Sequence, residues 1–216
     1  MIEATIKEKV KEFIVKNFKW IILFICLIGF LAIAENVFNK EIMNGDIVGY
    51  KLISTFLISD FATPIAKFIT NFGDAIFLTV LTIILFILIK NKKIGVSIFS
   101  NLVIITALNQ LLKNILQRPR PTEYRIIEET GYSFPSGHSM ISMAFYGYII
   151  YLIYKYVKNK YIKWISIVLL SILICSIGIS RIYLGVHYTS DVLGGFLISV
   201  SYLVIYISAV IKSFVL

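Results

Sequence analysis

Six stretches of this 216-residue chain run for fifteen residues or more without an ionisable side chain: 20–34, 75–89, 94–112, 139–154, 164–180 and 192–211. Helices in a soluble bundle keep a polar face at helical spacing, whereas these segments are apolar all round. With 58% hydrophobic and only 15% charged residues, and a mean hydropathy of +0.87, the chain has more apolar side chain than one water-soluble core can absorb. The expectation is an all-α, polytopic membrane protein with six transmembrane helices. Three of the stretches, 20–34, 75–89 and 139–154, fall short even of the roughly 17 residues at the lower end of what a bilayer core requires, but Lys19, Lys90 and Lys155 can snorkel from their ends. No repeat, low-complexity tract or linker divides the chain, so residues 1–216 read as a single membrane domain.

The cations set an orientation. With both termini in the cytoplasm, 13 of the 21 lysines and arginines fall on inner segments (the N-terminal stretch, 90–93, 155–163 and Lys212), leaving eight outside. The positive-inside rule favours that arrangement in a cell membrane. It also explains the sequence pI of 9.4 without a nucleic-acid partner, which would call for cations gathered in one patch.

No cleavable signal peptide is evident. Residues 1–19 place Ile2, Ile6, Val10, Phe13 and Ile14 on one face, as an interfacial helix leading into the first span would; a frayed, solvated terminus is the competing reading. Cys26 and Cys175 both lie inside spans and imply small apolar fillers, not a disulfide framework. The outer-face segment 35–72 mixes Leu52, Ile53, Phe56, Leu57 and Phe61 with polar residues and Pro64. That pattern suits short helices in the headgroup layer, acting either as a lateral guide for substrate or as a protective lid.

The chemistry is confined to one membrane face. No charged or histidine residue lies near the middle of a span, as an ion-coupled transporter would require, while both histidines and every arginine lie at or beyond the outer ends. Three segments meet there under the derived topology: 113–121, 135–138 and 180–191. Lys113, Arg120 and Arg181 supply cations and donors suited to phosphate oxygens. In Pro135-Ser136-Gly137-His138 the proline presets a turn, the glycine admits close approach, and the free N–H groups of a helix start face an anion. His187 and Asp191, spaced i, i+4, share a helix face, so the carboxylate can take the Nδ1 proton and leave Nε2 as a nucleophile. His138 is then the candidate general acid and base. Each feature alone is ordinary: interfacial arginines anchor, and Pro-Ser-Gly makes turns. What carries weight is that the chain's 2 histidines are both embedded in phosphate-binding chemistry at one face.

At these residues the sequence resembles the type 2 phosphatidic acid phosphatase (PAP2) superfamily, which also includes the vanadium haloperoxidases. Its pattern of K-x6-R-P, P-S-G-H and S-R-x5-H-x3-D reads here as Lys113 to Arg120-Pro121, Pro135-Ser136-Gly137-His138, and Ser180-Arg181 to His187 to Asp191, without a departure. Arg118-Pro119 duplicates part of the first motif, but the residue seven before Arg118 is Leu111, so Arg120 is the match. The resemblance implies a PAP2/haloperoxidase-like helical bundle in which His187 is the nucleophile, Asp191 its orienting partner and His138 the acid and base. It implies that Lys113, Arg120, Ser136, Gly137 and Arg181 bind the phosphoryl group, with no cofactor and no metal. The partners implied are the bilayer and a lipid phosphate. The candidates are undecaprenyl diphosphate and phosphatidylglycerol phosphate first, then phosphatidic acid, and the motifs do not separate them. The competing class is a non-catalytic lipid-phosphate binder or transporter that retains the pocket. Nothing in the sequence fixes the oligomeric state.

Overall fold

A computed structural model describes the backbone of residues 2–214 and the side chains of residues 16–210. Among these residues the chain forms eight α-helices: α1 (Ile2–Phe38), α2 (Asn44–Phe56), α3 (Ala62–Thr70), α4 (Ala75–Leu88), α5 (Lys92–Leu116), α6 (Gly137–Tyr156), α7 (Lys160–Tyr183) and α8 (Thr189–Phe214), with a 3-10 turn at Asn71–Gly73 joining α3 to α4.

Helix α6 is the hub, packed against α5, α7 and α8, while α1 runs along α8. Their pairing is antiparallel, since Lys19 reaches Ser208 and Gly29 faces Leu197. Leu78, Ile105, Met140, Ala144, Phe145, Tyr148 and Ile177 form the dry centre. Large apolar side chains such as Phe24, Ile28, Val103, Leu169 and Ile205 point outward, as lipid-facing helices require.

Four helical stretches are long and apolar enough to cross a membrane: Lys16–Phe38, Lys92–Leu116, Lys160–Tyr183 and Thr189–Val210; a fifth is added if Ala62–Gly73 and Ala75–Leu88, bent by 52°, form one broken span. The expected span at 75–89 is thus a 14-residue helix, about 21 Å long at 1.5 Å per residue, attached to α3 through a bend. Asp74 makes the break, accepting from the Ile76 N–H at 2.8 Å as the N-cap of α4. The expected span at 139–154 forms the 20-residue helix α6, which is not among these stretches, so four or five of the six expected spans are found; its face carries Ser139, Ser142, Tyr146 and Tyr148. It tolerates them because neighbouring helices, not lipid, surround it: the Tyr148 hydroxyl donates to Ser97 Oγ at 2.8 Å and the Tyr146 hydroxyl to Phe72 O at 2.8 Å.

The N-terminal segment runs into the first span as one helix without a break at residue 19. The side chains of the apolar face read from Ile2 to Ile14 lie outside the described residues, as does that of Lys212. Segment 35–72 holds the two short helices anticipated there, α2 and α3, with Ile47, Leu52, Phe56, Phe61 and Phe68 exposed. Cys26 and Cys175 are free.

Candidate active site

The site lies where α5 and α7 end and α6 and α8 begin. Helix α5 stops because Gln117 turns left-handed (φ 44°), its N–H closing on Lys113 O at 3.0 Å, and this sends Arg118 to Pro121 across the end of the bundle. Helix α6 starts at Ser136, whose hydroxyl accepts from the Ser139 N–H at 3.4 Å and whose own N–H donates to Asp191 O at 3.0 Å. That leaves the N–H groups of Gly137 and His138 in the first turn without an intrahelical acceptor. The backbone can pass so close to α5 because residue 137 is glycine: a Cβ there would sit 3.2 Å from Asn109 Oδ1.

His187 sits between α7 and α8 and is 3% exposed. The preceding turn needs glycine at 185, where φ is +70° and a Cβ would lie 2.2 Å from Tyr124 O. Asp191 is fully buried, and its Oδ2 lies 3.3 Å from His187 Nδ1. The same oxygen accepts from the Tyr188 N–H at 2.9 Å and from the Ser133 hydroxyl, whose oxygen is itself 3.3 Å from Nδ1. On the far side of the ring, Arg120 Nη1 is 3.0 Å from Nε2. A guanidinium only donates, so Nε2 accepts and the proton belongs on Nδ1, facing the carboxylate. Burial pushes the His187 imidazole down to about 4; Asp191 opposes that, while Arg181 and Arg120 add to it.

Arg120 and Arg181 share Glu129 as a counter-ion. The Arg120 guanidinium spans the carbonyls of Thr130, Gly131 and Val186 at 2.9–3.0 Å. Arg181, 1% exposed, donates to Thr70 Oγ1 at 2.8 Å and to Glu129, and its Nε is buried without a partner among the described residues. Lys113 is buried too and donates to Tyr132 O. Despite partial burial, Glu129 is held below the usual carboxylate range by Arg181 and Arg120. Half-buried His138 packs on Gly73, a Cβ at which would lie 3.2 Å from His138 Cδ2. Its ring makes no hydrogen bond among the described residues. All eight residues singled out by sequence therefore belong to one end of the bundle. Ser136 departs in detail: its N–H is taken up by Asp191 O and its hydroxyl by the α6 cap, so it shapes the helix start, while Gly137 and His138 offer the free N–H groups.

Sequence reasoning passed over several neighbours. Arg118, set aside as a motif duplicate, is buried and bonds Asp191 Oδ1 at 2.6 Å and Asp46 Oδ2 at 2.7 Å. Asp46 on α2, Ser133, Glu129 and Thr70 complete the surroundings, and only the repeated Arg-Pro hinted at any of them. A cavity of about 670 Å³ opens beside His187, walled by Ile47, Tyr50 and Lys51 of α2 and by Pro121, Tyr124 and Tyr188; Lys113, His138 and Arg181 do not line it. Among the described residues no group of three or more His, Cys, Asp or Glu could hold a metal ion.

Known proteins match this chain both in sequence and in fold. Over 90 residues the chain is 40% identical to phosphatidylglycerophosphatase B of Bacillus subtilis, a match that covers 41% of this chain and 44% of that relative. It is 27% identical over 195 residues to the undecaprenyl-diphosphatase of Sulfolobus acidocaldarius, covering 85% of this chain and 86% of the other. The crystal structure of a transmembrane PAP2-type phosphatidylglycerolphosphate phosphatase from Bacillus subtilis superimposes with a TM-score of 0.78 at 26% identity, covering 88% of this chain and 96% of the other. The PAP2 superfamily model matches residues 93–214, the span that contains all three motifs, and this multi-pass membrane chain belongs to that superfamily.

Proposed function

We propose that the chain is a metal-independent phosphatase that removes a terminal phosphate from a lipid phosphate or diphosphate through a phosphohistidine. The single observation that carries this reading is the pairing of both His187 ring nitrogens, Nδ1 with Asp191 Oδ2 and Nε2 with Arg120 Nη1; it assigns the proton to Nδ1 and leaves the Nε2 lone pair in reach of a phosphoryl group held by Lys113, Arg120 and Arg181. As substrate enters, Arg120 transfers its donors from Nε2 to a phosphoryl oxygen. The unpartnered Nε of Arg181 and the N–H groups of Gly137 and His138 are free to take others. His138 is held neutral by burial and by Arg181 before substrate enters, so it takes up a proton together with the phosphoryl anion; the Nε2 pair then forms the N–P bond while the P–O bond to the lipid breaks, and His138 gives that proton to the departing oxygen. In the second half His138 takes a proton from water, whose oxygen displaces Nε2, releasing inorganic phosphate. The cationic cluster stabilises the charge spread over the equatorial oxygens at each step.

The same reading makes α6 a protein-surrounded sixth span and α3–α4 a broken one. Both termini are then cytoplasmic and the site extracytoplasmic, which is the arrangement the lysine distribution favours. The cavity beside His187, mostly apolar and walled on one side by α2, suits the lipid portion nearest the scissile bond. Undecaprenyl diphosphate and phosphatidylglycerol phosphate are the preferred substrates, because the relatives' names point to those headgroups. Release of inorganic phosphate by the purified protein from a panel of these lipids and phosphatidic acid tests the reading. Binding without release from any of them would replace it with a non-catalytic lipid-phosphate binder.

A further inference from the structure

Arg118 is 5% exposed and lies between two buried carboxylates, Asp46 at 3% and Asp191 at 0%. Its Nη1 donates to Asp191 Oδ1 at 2.6 Å and to Ser190 Oγ at 2.7 Å, and its Nη2 to Asp46 Oδ2 at 2.7 Å. The guanidinium carbon Cζ lies 4.1 Å from the centre of the Tyr188 ring. Asp46 closes the circuit by accepting from the Ser190 N–H at 2.8 Å, so a residue of α2 caps the start of α8. Close approach of the two helices depends on Gly49, where a Cβ would lie 2.2 Å from Thr189 Oγ1. Burial alone would lower the Arg118 affinity for its proton, but Asp191 and Asp46 more than offset it.

We infer that Arg118 is a positioning residue for the phosphatase reaction. By fixing Asp191 Oδ1 it holds Oδ2 on His187 Nδ1, and through Asp46 it ties that orientation to α2, the helix walling the cavity beside the nucleophile. The inference rests on the proposed roles of His187 and Asp191. The donors of Arg118 described above are spent on Asp46, Ser190 and Asp191, none of them in the cluster of Lys113, Arg120 and Arg181. Its influence on the phosphoryl group therefore runs through Asp191. An Asp191 carboxylate with only Oδ2 held is free to rotate, which spoils the Nδ1 contact and with it the tautomer that exposes Nε2. Lysine cannot replace the fork, because a point ammonium does not serve two carboxylates on separate helices with fixed geometry.

The test is steady-state hydrolysis of p-nitrophenyl phosphate, which has no lipid tail and so isolates the dyad from the cavity wall. Arg118→Gln and Arg118→Lys are expected to lower kcat by roughly 10- to 100-fold, the range for groups that orient a functional histidine, with KM within about threefold. The decisive measurement is the same change on an Asp191→Asn background. A residue acting through Asp191 costs almost nothing further there, whereas a general structural role costs the same in both backgrounds. A KM increase at unchanged kcat, or an undiminished loss on the Asp191→Asn background, overturns the inference. If Arg118→Gln elutes as an aggregate, because it strands two buried carboxylates, Asp46→Asn/Arg118→Gln and Asp46→Asn are read through the same cycle with the same expectation. Activity surviving in His187→Ala would remove the underlying mechanism; normal kinetics of Arg118→Lys beside an inactive His187→Ala would remove only the role of Arg118.

Discussion

Arg120 Nη1 donates to His187 Nε2 at 3.0 Å, and this contact faces away from the one between Nδ1 and Asp191 Oδ2 at 3.3 Å. The imidazole is thus held from both ring nitrogens in the tautomer that keeps the Nε2 pair available. Arg120 guards that pair, and in the proposed mechanism it receives the phosphoryl group that replaces it.

Because burial depresses the His187 proton affinity to about 4, against about 6.5 for a free imidazole, the proposed nucleophile is neutral throughout the physiological range. An acid limb of kcat/KM near 6.5 therefore does not belong to His187. The same shift sets a sign for stability. Between pH 4 and 6.5 the unfolded chain binds more protons at this residue than the folded one, so stability rises with pH across that window and the contribution is complete above it. The thermal midpoint in detergent should climb from pH 4.5 to 6.5 in the parent protein and climb less in His187→Asn. Equal slopes would mean that the buried ring is already protonated.

Gly185 is the turn residue on which His187 depends. Alanine there meets Tyr124 O at 2.2 Å with φ at +70°, and the left-handed backbone alone costs about 1–2 kcal/mol. The clash comes on top of that and pushes loop 121–125 away from the α7–α8 connection. Gly185→Ala is expected to lower the thermal midpoint and cut kcat at least about tenfold, since small misplacements of reacting groups are costly. Retention of full activity would show that the loop and the nucleophile are mechanically independent.

How much of this was legible in the sequence follows from the range of the interactions. His187 and Asp191 are one helical turn apart, and Pro135 to His138 form a single turn and cap, so local spacing revealed them. Arg118 and Asp46 are separated by 72 positions, and no periodicity marks an aspartate on a short outer helix as the counter-ion of an arginine beyond α5. The span pattern does not separate burial in protein from exposure to lipid: α6 reads as one more charge-free stretch, yet its serines bond within the first turns of α6 and its tyrosines to α5 and the α3–α4 turn. The bend at Asp74 was hidden because an N-cap and a break in a span look alike when only the apolar run after them is counted.

Sidedness is open to direct measurement. Glu128 is 93% exposed on the loop above the site, and Lys93 is exposed at the opposite end of α5. In a background with Cys26 and Cys175 replaced by alanine, a membrane-impermeant thiol reagent added to intact cells should label Glu128→Cys and leave Lys93→Cys unlabelled until the cells are opened. The reverse pattern would put the site in the cytoplasm and remove an outer-leaflet lipid as substrate.

The two histidines are separable by their different tasks. His187→Ala removes the attacking nitrogen and should abolish turnover of every substrate. Asp191→Asn preserves shape but lets the amide favour the wrong tautomer, and by analogy with the serine-protease dyad the loss in kcat can approach about 10⁴-fold. His138→Ala should discriminate between leaving groups, because p-nitrophenolate departs without a proton whereas a lipid alcohol does not. Its residual activity on p-nitrophenyl phosphate should therefore exceed that on a lipid phosphate. Loss of the water-activating base also slows breakdown of the intermediate, so acid quenching during p-nitrophenyl phosphate turnover should trap an acid-labile phosphoenzyme in His138→Ala. That species should be missing in His187→Ala. Phosphoenzyme that persists without His187 would assign the nucleophile elsewhere.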